Sequence, residues 1–550
     1  MSPRCLVVVL LSLFALALPG GAETPAHAAG ERLYREGILP SGAPLQGLLK
    51  GNLPAPGTAF ACAGCHLRSG LGSSEGGVIA PSISGPKLFQ PRHKTFPRIT
   101  GAARERQGLT MPPLRPAYTE ATLARALRTG IDPSGREFSE TMPRYTLSDH
   151  DLKLLVGYLK TLSAQPSPGV DATTVRFATV IDGEVDVATQ DAMLKPLQAF
   201  VAFHNSLSKG FGHRMYRSPA GQGLVQDHRT YLLVPWVLKG PRNTWRRQLE
   251  TIYRKAPVFA LLGGLSHGSW QPIHAFCEAR HLPCILPLTD LPVVSDTDWY
   301  TLYFSKGYHQ EGETAARFIA NRTAAGEASR LVQVVQGEIG HALAAGFDET
   351  WRSLGRSKLR TLHLPDRQAI TPGFLRDLLR RDQPTALLLW TDARMLDALQ
   401  PSLVEGEPTV PKVISARYWQ ERIFELPAAL RPTTFITYPF RHPQDETRAL
   451  ANSVTSLANQ GASLDGRRIA SRTYSLIQVL TKALMAMEGE FYRDHLLDRL
   501  GLLSDQTLLD FERLGFGPGQ RYLSRGCYLM QLTPGADPIL VKQSDWVLAN

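Results

Sequence analysis

Only six cysteines occur in 550 residues, too few for a scaffold built on disulfides. No pair of cysteines or histidines has zinc-site spacing. No Ser/His/Asp set or carboxylate pair stands out as hydrolytic machinery. There is no Lys/Arg block of the kind that grips phosphates, which speaks against nucleic acid as a partner. Beyond the N-terminus, no apolar stretch is long enough to cross a bilayer, so no stable membrane span is expected. What remains is 43% hydrophobic and 20% charged, ordinary for globular chains, with room for roughly three or four domain-sized units.

The N-terminus has its own character. Arg4 precedes an apolar run from Cys5 to Leu18, and an Ala26-His27-Ala28 site follows. That is the order of a secretory signal peptide, expected over 1–28, with an uncleaved anchor as the alternative. The protein is therefore expected to be exported to the periplasm. The net charge of +11 is uneven. From Gly30 to Gln165 there are 17 Lys/Arg against 10 Asp/Glu, and the remainder after the signal region carries only +4. A basic surface on this part suits an acidic protein partner.

The most specific motif is Cys62-Ala63-Gly64-Cys65-His66. Cys-x-x-Cys-His is the attachment pattern of a c-type haem. Two thiols at that gap match the two haem vinyls, and the adjacent imidazole falls under the iron as axial ligand. The expected cofactor is thus one covalent haem c on Cys62 and Cys65, with His66 as metal ligand. The rival is a redox Cys-x-x-Cys beside an unrelated histidine. Haem attachment takes place outside the cytoplasm, which agrees with export.

Around the motif, helices are expected from Gly30 to Gly37, from a Thr119 cap to Gly130, and from a Ser148/Asp151 capping pair through Leu152, Leu155, Tyr158, Leu159 and Leu162. Ser69 to Pro86, rich in Gly and Ser, is expected as loop. Met142-Pro143-Arg144-Tyr145, followed by Ser148-Asp149 and Tyr158-Leu159, resembles the distal segment of single-haem cytochromes c. The resemblance covers residues 30–163 and implies an all-α domain with Met142 as the sixth ligand. His/Met ligation raises the reduction potential. Met111, also before a proline, competes for that role. His93 and His150 are the bis-His alternative, and both read better as surface. Arg68, Lys87, Arg92, Lys94 and Arg144 are candidate contacts for a redox partner.

Residues 164–174 read as a linker. Beyond them short apolar runs alternate with helical patterns. Strands are expected at 175–181, 231–238, 258–262, 331–335, 386–390, 413–415 and 435–438, with helices including 247–254, 271–281, 310–322 and 475–488. That alternation argues for parallel sheets with helices on both faces, in two lobes. Val258 to Ser266 with its Gly263-Gly264 pair, Leu282 to Pro287, and Tyr303 to Gly312 resemble type I periplasmic binding proteins of the branched-chain amino acid group. The resemblance implies two α/β lobes over 175–550, closing on a small organic solute. By that likeness Ser266, His267 and Ser269 line the first lobe, and a helix N-terminus there suits an anion. In the second lobe Glu338-Ile339-Gly340 stands where an aromatic is usual, which argues against an ordinary amino acid. Trp390 and Asp392 lie at a strand's C-terminal end, either as solute contacts or as a core Trp and a capping Asp. Cys277 and Cys284 flank a helix-to-strand turn and could pair as a disulfide, while Cys527 reads as a buried strand residue.

The expected fold is thus a cytochrome c domain followed by a two-lobed α/β domain. The expected role is a periplasmic electron carrier rather than an enzyme, its second domain docking a redox partner or sensing a solute. The likeness to small cytochromes suggests as that partner an exported dehydrogenase, quinoprotein dehydrogenases included. The alternative is a solute-binding protein for transport or signalling, related to those of ABC transporters, with an accessory haem.

Overall fold

The computed structural model describes residues 24–49, 53–93, 114–210, 229–322, 330–356, 359–366, 368–399, 410–442, 464–504, 515–517 and 519–548. The chain forms two compact units that divide between Gln165 and Pro166.

Unit 1 is built on three amphipathic helices. Pro25–Glu36 begins at a Thr24 cap with proline in its first turn and stops at Gly37 in the left-handed region. Glu120–Thr129 starts at a Thr119/Thr122 capping box and stops at Gly130, φ 79°. Asp149–Thr161 begins where the Ser148 hydroxyl accepts from the Asp151 amide, as expected from the sequence. Leu33, Tyr34, Leu123, Leu127, Leu152, Leu155, Tyr158 and Leu159 meet in one core.

Three expectations for this unit need correction. It is not purely helical: β1 (Gln46–Leu49) pairs with both β2 (Leu53–Pro56) and β7 (Arg144–Thr146), and β5 (Arg92–His93) pairs with β6 (Leu114–Arg115). The Ser69–Pro86 stretch is not all loop. It carries the hairpin β3 (Ser73–Glu75) and β4 (Val78–Ala80), whose Gly76-Gly77 turn adopts the positive φ a tight turn requires, and then a short helix from Gly85 to Leu88. The first helix starts at Pro25 rather than Gly30, so Ala26-His27-Ala28 lies inside it. His27 there meets the Thr161 hydroxyl at 3.0 Å and the Tyr158 ring edge-on at 5.3 Å.

Unit 2 contains two sheets. The first is fully parallel, in the order β12 (Thr301–Leu302), β11 (Cys284–Ile285), β10 (Ala260–Leu262), β8 (Thr174–Asp182), β9 (Thr230–Leu238). The second has the order β14 (Leu359–Leu364), β13 (Leu331–Gln336), β15 (Ala386–Trp390), β16 (Lys412–Ser415), β17 (Thr434–Tyr438), all parallel. It ends in antiparallel β18 (Gly526–Leu532) and β19 (Leu540–Lys542). Numbered within each sheet, both share the parallel order 2-1-3-4-5, a doubly wound topology.

The inner strands are buried on both faces because helices cover both, whereas the edge strands β9 and β14 keep exposed side chains. On one side of the first sheet pack Met193, Leu197, Leu476, Leu480, Leu496 and Leu500, and on the other Trp245, Leu249, Ile273 and Phe276. In the second sheet Leu387 and Leu389 face one layer while Leu388 and Trp390 face the other. The chain passes between the two sheets three times: after β12, after β17, and before β18. Two α/β lobes joined by crossing segments are what the resemblance implied. Among the described residues no helix is long and apolar enough to cross a membrane. Cys277 and Cys284 are both buried and stand as free thiols in this structure. Cys527 is buried in β18.

Candidate haem site and solute crevice

Cys62 to His66 form one short helix. Three residues apart, the two cysteines project from the same side of it. The His66 residue is only 7% exposed, and its Nδ1 lies 2.8 Å from the Pro81 carbonyl oxygen. A carbonyl only accepts, so Nδ1 carries the hydrogen and Nε2 keeps its lone pair for a metal. Burial lowers the imidazole's pKa, against the opposing pull of the Pro81 carbonyl. Burial also pushes the Cys62 thiol up to about 12. Reactive redox cysteines show the reverse shift, so Cys62 lacks the environment that activates a redox thiol.

The flanks of the motif are pinned by two tyrosines. Tyr34 donates to the Leu67 carbonyl at 2.6 Å and Tyr145 to the Phe60 carbonyl at 2.7 Å. Cys62, Ala63 and Met142 all pack, half-buried, against the core of this unit. Met142 lies in a loop organised by Asp132, whose Oδ1 accepts from the Ser134 and Arg136 amides at 2.8 and 2.9 Å. The residues fit a c-type haem: two thiols on one helical turn, a buried imidazole fixed in the ligating tautomer, and a thioether against the same core. Met111 lies outside the described residues, as do the His93 side chain and Lys94. His150 is exposed on its helix.

The second candidate site lies at the C-terminal ends of the parallel strands, where strand order reverses between β8 and β10. Gly263 and Gly264 both have positive φ. A Cβ on Gly264 would come within 2.6 Å of the Trp270 ring and 2.9 Å of the Val180 carbonyl, so this turn accepts only glycine. Beyond it the His267 amide donates to Asp182 Oδ2 at 3.2 Å, with the imidazole Nδ1 3.4 Å from the same oxygen. The Ser266 hydroxyl donates to the Gly268 carbonyl at 3.3 Å, and the Ser269 hydroxyl accepts from the Gln271 amide at 3.2 Å. These three residues are thus brought together, but both hydroxyls serve the loop itself.

The second-lobe expectation fares differently. Trp390 is 0% exposed and donates its Nε1–H to Gln333 Oε1 at 3.0 Å, so it is a core residue. Asp392 accepts from the Arg394 amide at 3.0 Å and pairs with its guanidinium at 2.7 Å. Residues not foreseen supply the rest. Arg242 donates to the His267 carbonyl and pairs with Glu338 at 3.3 Å. Asp290, its side chain 38% exposed, lies 2.8 Å from Arg417 and 3.2 Å from Arg472. Burial raises the Asp290 pKa, but those two guanidinium groups outweigh it and hold the carboxyl below its ordinary value. Arg417 also faces the buried Glu311 at 3.6 Å, whose other oxygen accepts from Ser415 and Thr437 at 2.7 and 2.6 Å. Burial lifts Glu311 to about 6. Asp182 and Ser415, each at the end of an apolar strand, gave a usable sequence signal. The arginines gave none, because a cation distant in sequence has no local pattern.

No family model and no curated protein matches the chain. Solved structures do. A fatty acid ABC transporter substrate-binding protein from Thermomonospora curvata is 14% identical, over 69% of this chain and 94% of its own, at TM-score 0.44. A periplasmic binding protein type 1 from Bordetella pertussis is 9% identical, over 67% and 100%, at 0.46. A solute-binding protein from R. palustris in complex with benzoate is 12% identical, over 68% and 98%, at 0.44. Identities and scores this low assign neither family nor ligand.

Proposed function

We propose that unit 1 is a c-type haem electron carrier of an exported protein. Cys62 and Cys65 would hold the haem through thioether bonds, and His66 Nε2 and the Met142 thioether would ligate its iron. When bound, the haem supplies a one-electron couple whose potential the soft thioether raises. The chain's residues do the rest. Pro81 fixes the His66 tautomer, Tyr34 and Tyr145 hold the attachment helix, and the apolar core limits water. The observation that carries this reading is the Nδ1 to Pro81 hydrogen bond on a buried histidine directly beside two thiols. Met142→Ala should abolish the weak Met–Fe(III) charge-transfer band and lower the reduction potential. The same result from Met111→Ala, with Met142→Ala silent, would move the ligand.

A second reading places the chain's main task in unit 2, as a solute-binding protein with an accessory haem. The two doubly wound lobes and their three crossing segments favour it. Its crevice is polar and rich in arginine, which suits a small acidic solute rather than an apolar one. Comparing reduction kinetics with and without a solute separates the two readings. A partner protein, acidic and of the exported-dehydrogenase class, belongs to the first.

A further inference from the structure

The sequence makes Arg144 a candidate contact for a redox partner. Its guanidinium instead turns inward on its own loop. Nη1 donates to the Met142 carbonyl at 2.5 Å and Nη2 to the Phe138 carbonyl at 3.4 Å. The group also sits 6.0 Å from the centre of the Phe138 ring. Its floor is Gly130, where a Cβ would fall 1.9 Å from Arg144 Nε and 2.1 Å from Cζ. Gly130 ends the Glu120–Thr129 helix at φ 79° and takes the Phe138 amide on its carbonyl at 2.8 Å. One cation therefore ties together the helix end, the middle of the loop and the Met142 backbone. On the next residue, Tyr145 is bonded to Phe60, two residues before Cys62.

We infer that Arg144 is a positioning residue that clamps the Met142 loop and so holds the thioether where the distal ligand belongs. This rests on the reading of Met142 as that ligand. A cation donating to two carbonyls is worth more than a neutral hydrogen bond. The planar fork can serve both carbonyls at once, whereas a lysine ammonium at the end of a flexible stem cannot hold that geometry. Loss of the clamp leaves the ligand attached to a looser loop and shifts the balance between Met-bound and Met-free forms.

The test uses the haem-loaded full chain. Imidazole binds the iron only when Met142 is off, so its apparent affinity rises in proportion to the Met-free fraction. Arg144→Gln and Arg144→Lys should each raise that affinity about tenfold or more, the scale of losing charge-assisted hydrogen bonds. The Met–Fe(III) band should then melt out at a lower temperature than the far-ultraviolet helix signal. Gly130→Ala, which keeps Arg144 but puts a Cβ where its guanidinium lies, should act in the same direction. A purely structural arginine would lower both melts together and leave imidazole affinity unchanged. Imidazole affinity and band melting equal to wild type in both Arg144 variants would overturn the clamp alone. A wild-type protein with no Met–Fe(III) band would overturn the reading of Met142, and the clamp with it.

Discussion

Tyr145 donates its hydroxyl to the Phe60 carbonyl at 2.7 Å across 85 positions of sequence. This bond ties the strand after Met142 to the segment before Cys62. It therefore spans the two stretches that would hold a haem from opposite sides. Burial pushes the phenol's pKa well up, so it stays a donor at any ordinary pH. Tyr145→Phe keeps the ring and leaves the Phe60 carbonyl without this donor. Unit 1 should lose about 1–2 kcal/mol, read from its denaturant midpoint. An unchanged midpoint would mean that the two segments are held independently.

Glu311 gives unit 2 a pH dependence of defined sign. Burial raises its pKa from 4.5 to about 6, so the folded state binds more protons than the unfolded state between those values. Stability from this group is therefore present below about pH 4.5 and is lost as pH rises through 6, by about 2 kcal/mol. Glu311→Gln cannot ionise. Urea melts at pH 4 and pH 7 should show wild type losing about 2 kcal/mol relative to the variant over that interval. Parallel curves would refute a buried, ionising Glu311.

Arg493 is buried and donates to the carbonyls of Val258, Phe259, Arg280 and His281 and to the Tyr253 hydroxyl. It closes the first lobe where several loops meet. Arg493→Met should cost about 3 kcal/mol or more, because the acceptors it leaves are buried. A loss under about 1 kcal/mol would mean that water replaces it.

The crevice prediction concerns ligand chemistry. A small carboxylic acid at 100 times its Kd should stabilise unit 2 by about 2.7 kcal/mol in a thermal-shift screen. Arg242→Ala should weaken that response, since Arg242 borders the Ser266–Ser269 loop through the His267 carbonyl. Stabilisation chiefly by leucine, isoleucine or valine would contradict an acidic solute.

The two-lobe architecture was legible because each buried strand is a short apolar run and each covering helix carries its own 3.6-residue period. The Ser148/Asp151 cap and the Gly130 stop were legible for the same local reason. The β3–β4 hairpin was missed because the Gly76-Gly77 turn was read as loop composition rather than as a turn with positive φ. For Trp390 the sequence leaves crevice and core both open, because a strand's C-terminal end indicates a crevice while alternation along the strand decides which face a side chain takes. Gln333, on the neighbouring strand, claims the indole. The role of Arg144 was invisible because it depends on the folded loop bringing Gly130, Phe138 and Met142 to one guanidinium.

The central claim is that Cys62 and Cys65 carry haem covalently. The direct measurement is acid–acetone extraction of the protein produced in a host that attaches c-type haem, followed by the pyridine haemochrome spectrum of both phases. The colour should stay with the polypeptide, with the spectrum of a haem whose two vinyls are saturated, and Cys62→Ala/Cys65→Ala should be colourless after extraction. Haem released into the solvent, or a protein that never acquires haem in that host, would contradict it.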